Sequence, residues 1–300
     1  MLLVNLPSPD SSKIFFAALL KIVALDLVDL DDSFDEWLNL IETKPISENF
    51  SMMGYESLYV IRNFGSLIFI FPIGMFILFI GWLLKFTKRK AAVKIHLAIL
   101  KFFIFGGTIA FFSESFLLMT VSLMTNTLNF KFSDFGSLVN SLVTIVFAIF
   151  ATGYLVFAST FFFNKIVKIN KHKFEFKRKF SMLYNDLNVK RNGKLAFVHQ
   201  LMSTWRKLIL CVVVVYMQSL PVFSIFALNF LSVAMLIATG LIRPYKVKKL
   251  NTIDMVNEAT ALMVIYHLFC FTDFVLDGPA RNTMGTSMVL LTVLSLVFNL

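Results

Sequence analysis

Long apolar stretches alternate with short polar ones along most of the chain. Apolar runs cover roughly residues 65–84, 102–124, 138–163 and 255–276. A helix of about twenty residues, rising 1.5 Å per residue, spans the hydrocarbon core of about 30 Å in a bilayer. The pattern therefore predicts transmembrane helices.

One apolar-rich stretch is too long for a single crossing. As one helix, residues 208–242 would measure about 52 Å, so the stretch must fold back, and residues 219–221 (Ser-Leu-Pro) form the natural turn. A last apolar stretch covers residues 286–300. The sequence therefore predicts an all-α, polytopic transmembrane helical bundle with about seven spans.

Composition agrees with this prediction. Hydrophobic residues make up 58% of the 300 positions and the mean hydropathy is +0.78, against about 45–50% apolar residues in soluble domains. A transmembrane β-barrel would show alternating segments of about ten residues, whereas these runs are continuous. The lipid bilayer is therefore the first predicted partner.

Charge is segregated along the chain, which predicts an orientation. Residues 1–62 carry ten acidic and four basic side chains, whereas residues 165–207 carry twelve basic and two acidic ones. Under the positive-inside rule the basic connections at 85–94, 165–207 and 243–249 are expected in the cytoplasm and the N-terminus outside. Because the basic stretches border apolar spans, the net charge of +10 does not indicate nucleic-acid binding.

Two regions follow from these patterns. Residues 1–62 are predicted to be an extracellular or lumenal acidic segment with an amphipathic helix near 14–25, which lies on the membrane or packs against the bundle. Residues 63–300 are predicted to form the bundle, with a basic cytoplasmic loop at 164–207. No signal sequence precedes the acidic region and no anchor flanks the last span, so a longer protein is expected.

Four polar side chains within the predicted spans are candidates for an intramembrane ion pathway: Glu114, Asn229, Glu258 and His267. Near the middle of its span an ionised Glu114 costs several kcal/mol unless it is paired or protonated. The alternative is a neutral Glu114 hydrogen-bonded to a neighbouring helix through Asn140, Asn229 or a serine. Glu258 is expected to cap its helix or bond near the interface, and His267 to pack or relay protons.

The long basic segment is predicted to be an amphipathic juxtamembrane helix, because its charges alternate with Phe174, Phe180 and Leu183. Each base near an anionic lipid surface contributes about 1 kcal/mol. The alternative is that the charge only fixes topology. The candidate lipid-headgroup contacts are Lys165, Lys168, Lys171, Lys173, Arg178 and Lys179.

Other motifs predict little further chemistry. Asn49 begins the only N-glycosylation sequon in the sequence and is a candidate glycosylation site. Both cysteines, Cys211 and Cys270, lie in predicted spans, which argues against a structural disulfide. The sequence shows no catalytic motif, phosphate loop or metal-spaced cluster. We therefore expect no enzyme, no metal and no cofactor.

Short motifs beside the first and fifth spans resemble a known family. They read Asn49-Phe50-Ser51-x-x-Gly54-Tyr55-Glu56-Ser57 with Asn63-x-Gly65, and Arg243-Pro244-Tyr245 with Asn251 and Asn257-Glu258. With the many phenylalanines, they resemble the carboxy-terminal membrane region of large ciliate transmembrane proteins, a group similar to transient receptor potential-like (TRP-like) proteins. The resemblance implies a long exterior region before the spans and a channel-like role, and it carries over no pore residue.

Several functions stay open on these grounds. The bundle is expected to be the membrane anchor or assembly subunit of a larger extracellular or lumenal complex, with protein partners or as an oligomer. Alternatively, it is a TRP-like cation channel subunit whose path passes Glu114, Asn229 and Glu258. A third alternative is an accessory subunit of an organellar membrane complex. The expected location is the plasma or ciliary membrane.

Overall fold

In the residues that it describes, the computed structural model is all-helical, which confirms the all-α part of the predicted fold. It describes residues 3–24, 38, 40, 43–64, 67–87, 89–100, 102, 108–163, 173, 176, 180 and 183–300. Within these ranges no strand is found. The helices are α1 (Asp10–Ala24), α2 (Glu48–Met52), α3 (Val60–Phe64), α4 (Leu67–Phe86), α5 (Lys90–Leu100), α6 (Thr108–Thr127), α7 (Phe135–Phe163), α8 (Val189–Asn192), α9 (Leu195–Tyr216), α10 (Pro221–Ile242), α11 (Lys248–Phe269) and α12 (Gly278–Asn299).

Four of the described helices, α7, α9, α10 and α12, are long and apolar enough to cross a membrane. By length and composition, the chain is therefore an integral membrane protein. The Phe76–Phe86 part of α4 is a further, shorter apolar helix.

The bundle buries small and polar side chains among its core residues and exposes many large apolar ones. In α10, Ser224, Ser232 and Thr239 are buried, whereas Phe226 and Phe230 are 58% and 76% exposed. Helices in lipid pack this way because small residues allow close approach and hydroxyls bond between helices, while lipid covers the outer apolar face. In α7 the same arrangement buries a set of small and polar residues, Gly136, Ser137, Asn140, Ser141 and Thr144.

Consecutive helices lie side by side. α6 packs on α7, α9 on α10, α10 on α11 and α11 on α12. α9 also contacts α6 and α7, so it lies at the centre of the bundle. The largest core cluster contains Cys211 and Val214 of α9 together with Ile225 of α10 and Leu268 of α11.

The N-terminal residues pack onto one end of the bundle. Val4, Phe50 and Tyr55 join the core cluster around Val215, near the end of α9. The side chain of Gln218 donates to the carbonyl of Leu3, 3.0 Å away. We call this end, where α9 joins α10, the capped end, and the opposite end, with residues 183–194 and 243–249, the basic end.

The predicted amphipathic helix near 14–25 is α1, and it packs against the bundle. α1 contacts α12 and α2. An added Cβ at Gly285 of α12 would lie 2.7 Å from Ser12 Oγ and 2.8 Å from Pro9 Cγ. The absence of a side chain there lets the two segments approach closely. Of the two predicted placements, this contact favours packing against the bundle.

Several boundaries differ from the sequence-based ones. α11 covers Lys248–Phe269 rather than 255–276, and α12 begins at Gly278 rather than near 286. α9 begins at Leu195 rather than near 208, so the end of the predicted basic loop belongs to the bundle. Lys90–Leu100, predicted as part of a basic connection, is the helix α5. His96 holds it against α4, because its Nδ1 lies 2.7 Å from the carbonyl oxygen of Gly81.

Candidate functional site

A partly buried ion pair joins α9 to α11. Arg206 Nη1 donates to Glu258 Oε2, and the side chains are 27% and 8% exposed. Glu258 is the eleventh residue of α11, so it lies beyond the first turn and does not cap that helix; its carboxylate instead bonds to a neighbouring helix. Removing one partner of such a pair destabilises the fold, because the other charge is left without its partner.

The pair lies deep in the bundle. Arg206 and Glu258 are ten and eleven residues before the ends of their helices at Tyr216 and Phe269. At 1.5 Å per residue, both lie about 16 Å below the capped end. That is about half of a 30 Å hydrocarbon core, where a charge is tolerated chiefly through a partner.

A second polar group lies nearer the basic end. His199 Nε2 is 2.8 Å from Thr239 Oγ1, a contact that connects α9 with α10. Asp254 Oδ2 of α11 lies 3.7 Å from the same nitrogen, beyond hydrogen-bond distance. The edge of the Tyr245 ring faces the His199 ring, with centroids 6.5 Å apart. Tyr245 lies outside the helices, and burial, aided by Asp254, raises the pKa of its phenol to about 12. It therefore stays neutral at physiological pH.

A third group joins α9 to α6. Lys207 Nζ donates to the carbonyl of Ser113, 2.8 Å away. Glu114 is exposed on α6 and acts electrostatically on Lys207 and on Tyr154 of α7. The predicted partner Asn140 is used elsewhere, since its Oδ1 accepts from the backbone N–H of Ile61 at 3.2 Å.

The structure does not bring the four candidate pathway residues together, because each of them has different neighbours. Glu114 faces outwards from α6, whereas Glu258 is buried against Arg206. His267 lies near the end of α11, with Nε2 3.1 Å from Ser287 Oγ of α12. Asn229 of α10 has a buried Oδ1 with no hydrogen-bond partner in the described part of the chain.

Sequence reasoning missed Arg206, Lys207, His199 and Asp254 as interior residues. It counted the first two with the solvated basic segment. The signal that could have found them is the apolar pattern of α9, which starts more than three turns before residue 208. Its first apolar residues, Ala196, Phe197 and Leu201, are all buried.

Of the six candidate lipid-headgroup residues, the structure describes Lys173, which is exposed. The others, Lys165, Lys168, Lys171, Arg178 and Lys179, lie outside the described residues. Two aromatic residues of this segment pack on the bundle, since the ring centroids of Phe176 and Phe180 lie 6.0 Å and 5.3 Å from that of Phe161 in α7.

The environment of Asn49 does not fit a glycosylation acceptor in the folded chain. Its side chain is buried, and Nδ2 donates to the carbonyls of Val4 at 2.8 Å and Leu6 at 3.0 Å. A glycan would occupy the nitrogen that makes these bonds. Asn49 instead holds the N-terminal residues on the capped end.

No family model, curated protein or solved structure matches this chain. Within the described residues, no group of three or more His, Cys, Asp or Glu side chains could hold a metal ion. The polar contacts between helices are therefore the basis for a functional proposal.

Proposed function

We propose that the chain crosses the membrane seven times and serves as the membrane anchor or assembly subunit of a larger extracellular or lumenal complex. Each of the seven predicted spans overlaps a helix of at least twenty residues, namely α4, α6, α7, α9, α10, α11 and α12. The plasma or ciliary membrane is the proposed location.

The observation that carries the anchoring role is the Arg206–Glu258 pair, in which two charges deep in the bundle neutralise each other between two helices. Asn257 supports it, because its Oδ1 accepts from Ser295 Oγ at 3.2 Å and from Asn299 Nδ2 at 2.8 Å. Polar groups used in this way hold helices together. Arg206, Glu258 and Asn257 are therefore occupied rather than available along an ion path.

The proposed topology predicts the accessibility of single cysteines. In a background with both native cysteines replaced by serine, an impermeant maleimide on intact cells should label Lys131→Cys and Asp277→Cys. Arg191→Cys and Lys246→Cys should react only after permeabilisation, because basic connections stay in the cytoplasm.

Other labelling results decide between the alternatives. One such result is that no position reacts on intact cells, while after permeabilisation the pair Lys131→Cys and Asp277→Cys still differs in reactivity from the pair Arg191→Cys and Lys246→Cys. That result would favour the role of accessory subunit of an organellar complex. If Arg191→Cys and Lys131→Cys always react together, the seven-span arrangement is contradicted.

A TRP-like cation channel subunit is the second candidate, favoured by Glu114, which is exposed on α6 within a predicted span. An exposed carboxylate at that depth could line a path between subunits. The test compares currents from the full-length chain in planar bilayers for wild type and Glu114→Gln, with Asp273→Asn as an exposed control.

The anchoring proposal expects no current from either form and unchanged assembly of Glu114→Gln. A wild-type conductance that Glu114→Gln alters at least severalfold, with Asp273→Asn unchanged, would instead establish the channel role.

A further inference from the structure

Two segments that are distant in sequence are joined at the basic end. The backbone N–H of Asn188 donates to the carbonyl of Pro244 at 2.7 Å, and the backbone N–H of Lys246 donates to the backbone carbonyl of Asp186 at 2.9 Å. Asn192 Nδ2 donates to the carbonyls of Ile242 at 2.5 Å and Arg243 at 2.8 Å. We call residues 186–194 and 242–247, held together by these bonds, the clasp.

Arg243 has an unusual backbone conformation in the clasp. It ends α10 with φ 47°, and it is the only non-glycine residue with positive φ in the described chain. Glycine is the usual residue at this position of a helix end, because a side chain is strained there. Non-glycine residues in this conformation cluster at active sites and ligand clamps, where the surrounding structure holds them.

The Arg243 side chain is exposed and makes no ion pair or hydrogen bond with the described residues. The clasp brings other exposed bases to the same end: Lys190, Arg191, Lys194, Lys246, Lys248 and Lys249. The opposing charge in the clasp is Asp186, which is also exposed. The surface therefore has a large excess of positive charge.

The depth of Arg243 matches a headgroup layer. α10 has 22 residues between the capped end and Arg243, a length of about 33 Å. This slightly exceeds a hydrocarbon core of about 30 Å. A side chain directly after the helix therefore reaches the level of lipid phosphates.

We propose that the clasp binds the headgroup of an anionic phospholipid, with the Arg243 guanidinium on the phosphate and Lys190, Arg191 and Lys194 around it. Guanidinium groups bind phosphate oxygens in a bidentate fashion. The bonds from Asn192 set the distance between the two basic segments. The proposal rests on the membrane crossing of α10 and is independent of the anchoring role.

The test uses the detergent-solubilised full-length chain, titrated with dioctanoyl phosphatidylserine, dioctanoyl phosphatidylcholine or inorganic phosphate by microscale thermophoresis. Phosphatidylserine should bind more tightly than the other two. Arg243→Gly should weaken that binding about fivefold, which is the contribution of one base near a charged surface. Its melting temperature should equal or exceed that of wild type, because glycine relieves the strain.

Asn192→Ala should also weaken phosphatidylserine binding by releasing the two segments, whereas Arg89→Gln, an exposed base between α4 and α5, should not. Unchanged binding by Arg243→Gly overturns the proposal, as does equal binding of phosphatidylcholine. Tight binding of inorganic phosphate would show a site for a soluble anion. A lower melting temperature of Arg243→Gly with unaltered lipid affinity would make Arg243 a structural residue only.

Discussion

Replacing Glu258 by glutamine is expected to destabilise the bundle by about 1.5–3 kcal/mol, because the half-buried Arg206 guanidinium then loses its charged hydrogen-bond acceptor. No other carboxylate lies within ion-pair distance of Arg206 in the described part of the chain. The loss of stability should therefore exceed that caused by a single surface substitution, which is usually within about 0.5 kcal/mol.

Cys211 offers a direct measurement of this loss. Its thiol is fully buried in the core, so a thiol-reactive dye labels it only when the bundle opens. In a Cys270→Ser background, the labelling transition under heat or denaturant reports unfolding of the detergent-solubilised chain. Asp273→Asn, the loss of an exposed acid, serves as the control.

The double variant Arg206→Met, Glu258→Leu separates pairing from a general loss of packing. With both charges removed, most of the stability should return, because apolar side chains of similar volume often replace a buried pair without loss. If the double variant loses as much stability as Arg206→Met alone and Glu258→Leu alone added together, the pair contributes no coupling energy.

The bounds of α7 and α10 were predictable from hydropathy within a few residues, but the polar contacts between helices were not. α7 and α10 follow directly from apolar runs bounded by polar residues. The start of α9 was misplaced because Arg206 and Lys207 count as solvated in a one-dimensional pattern. Their burial depends on Glu258 and on the carbonyl of Ser113, which lie 52 and 94 residues away.

The position of the N-terminal residues was likewise not predictable from the sequence pattern. An amphipathic helix has the same pattern whether its apolar side faces lipid or protein. The choice depends on the surface that receives it, here Gly285 on α12. Likewise, the sequon at Asn49 gives no indication of burial, since its two bonds reach the backbone of Val4 and Leu6.

Substitution of two glycines of α7 tests whether the N-terminal region packs against the bundle. An added Cβ at Gly136 would lie 2.4 Å from the carbonyl oxygen of Leu38 and 2.9 Å from Leu40 Cδ2. At Gly153, on the same helix, an added Cβ would meet nothing within 4 Å. The matched substitutions therefore differ in whether the N-terminal region must move.

Gly136→Ala is expected to cost about 1–3 kcal/mol, the usual range for overpacking a well-filled contact, because a backbone carbonyl has to shift. Gly153→Ala should be neutral or should stabilise by about 0.5–1 kcal/mol, since alanine favours a helix interior. Labelling of Cys211 measures both values. Amide hydrogen exchange should rise over residues 43–64 in Gly136→Ala alone, because these residues join Leu38 and Leu40 in one cluster through Tyr59 and Ile61. Equal stability and equal exchange in the two variants would mean that the capped end forms without this contact.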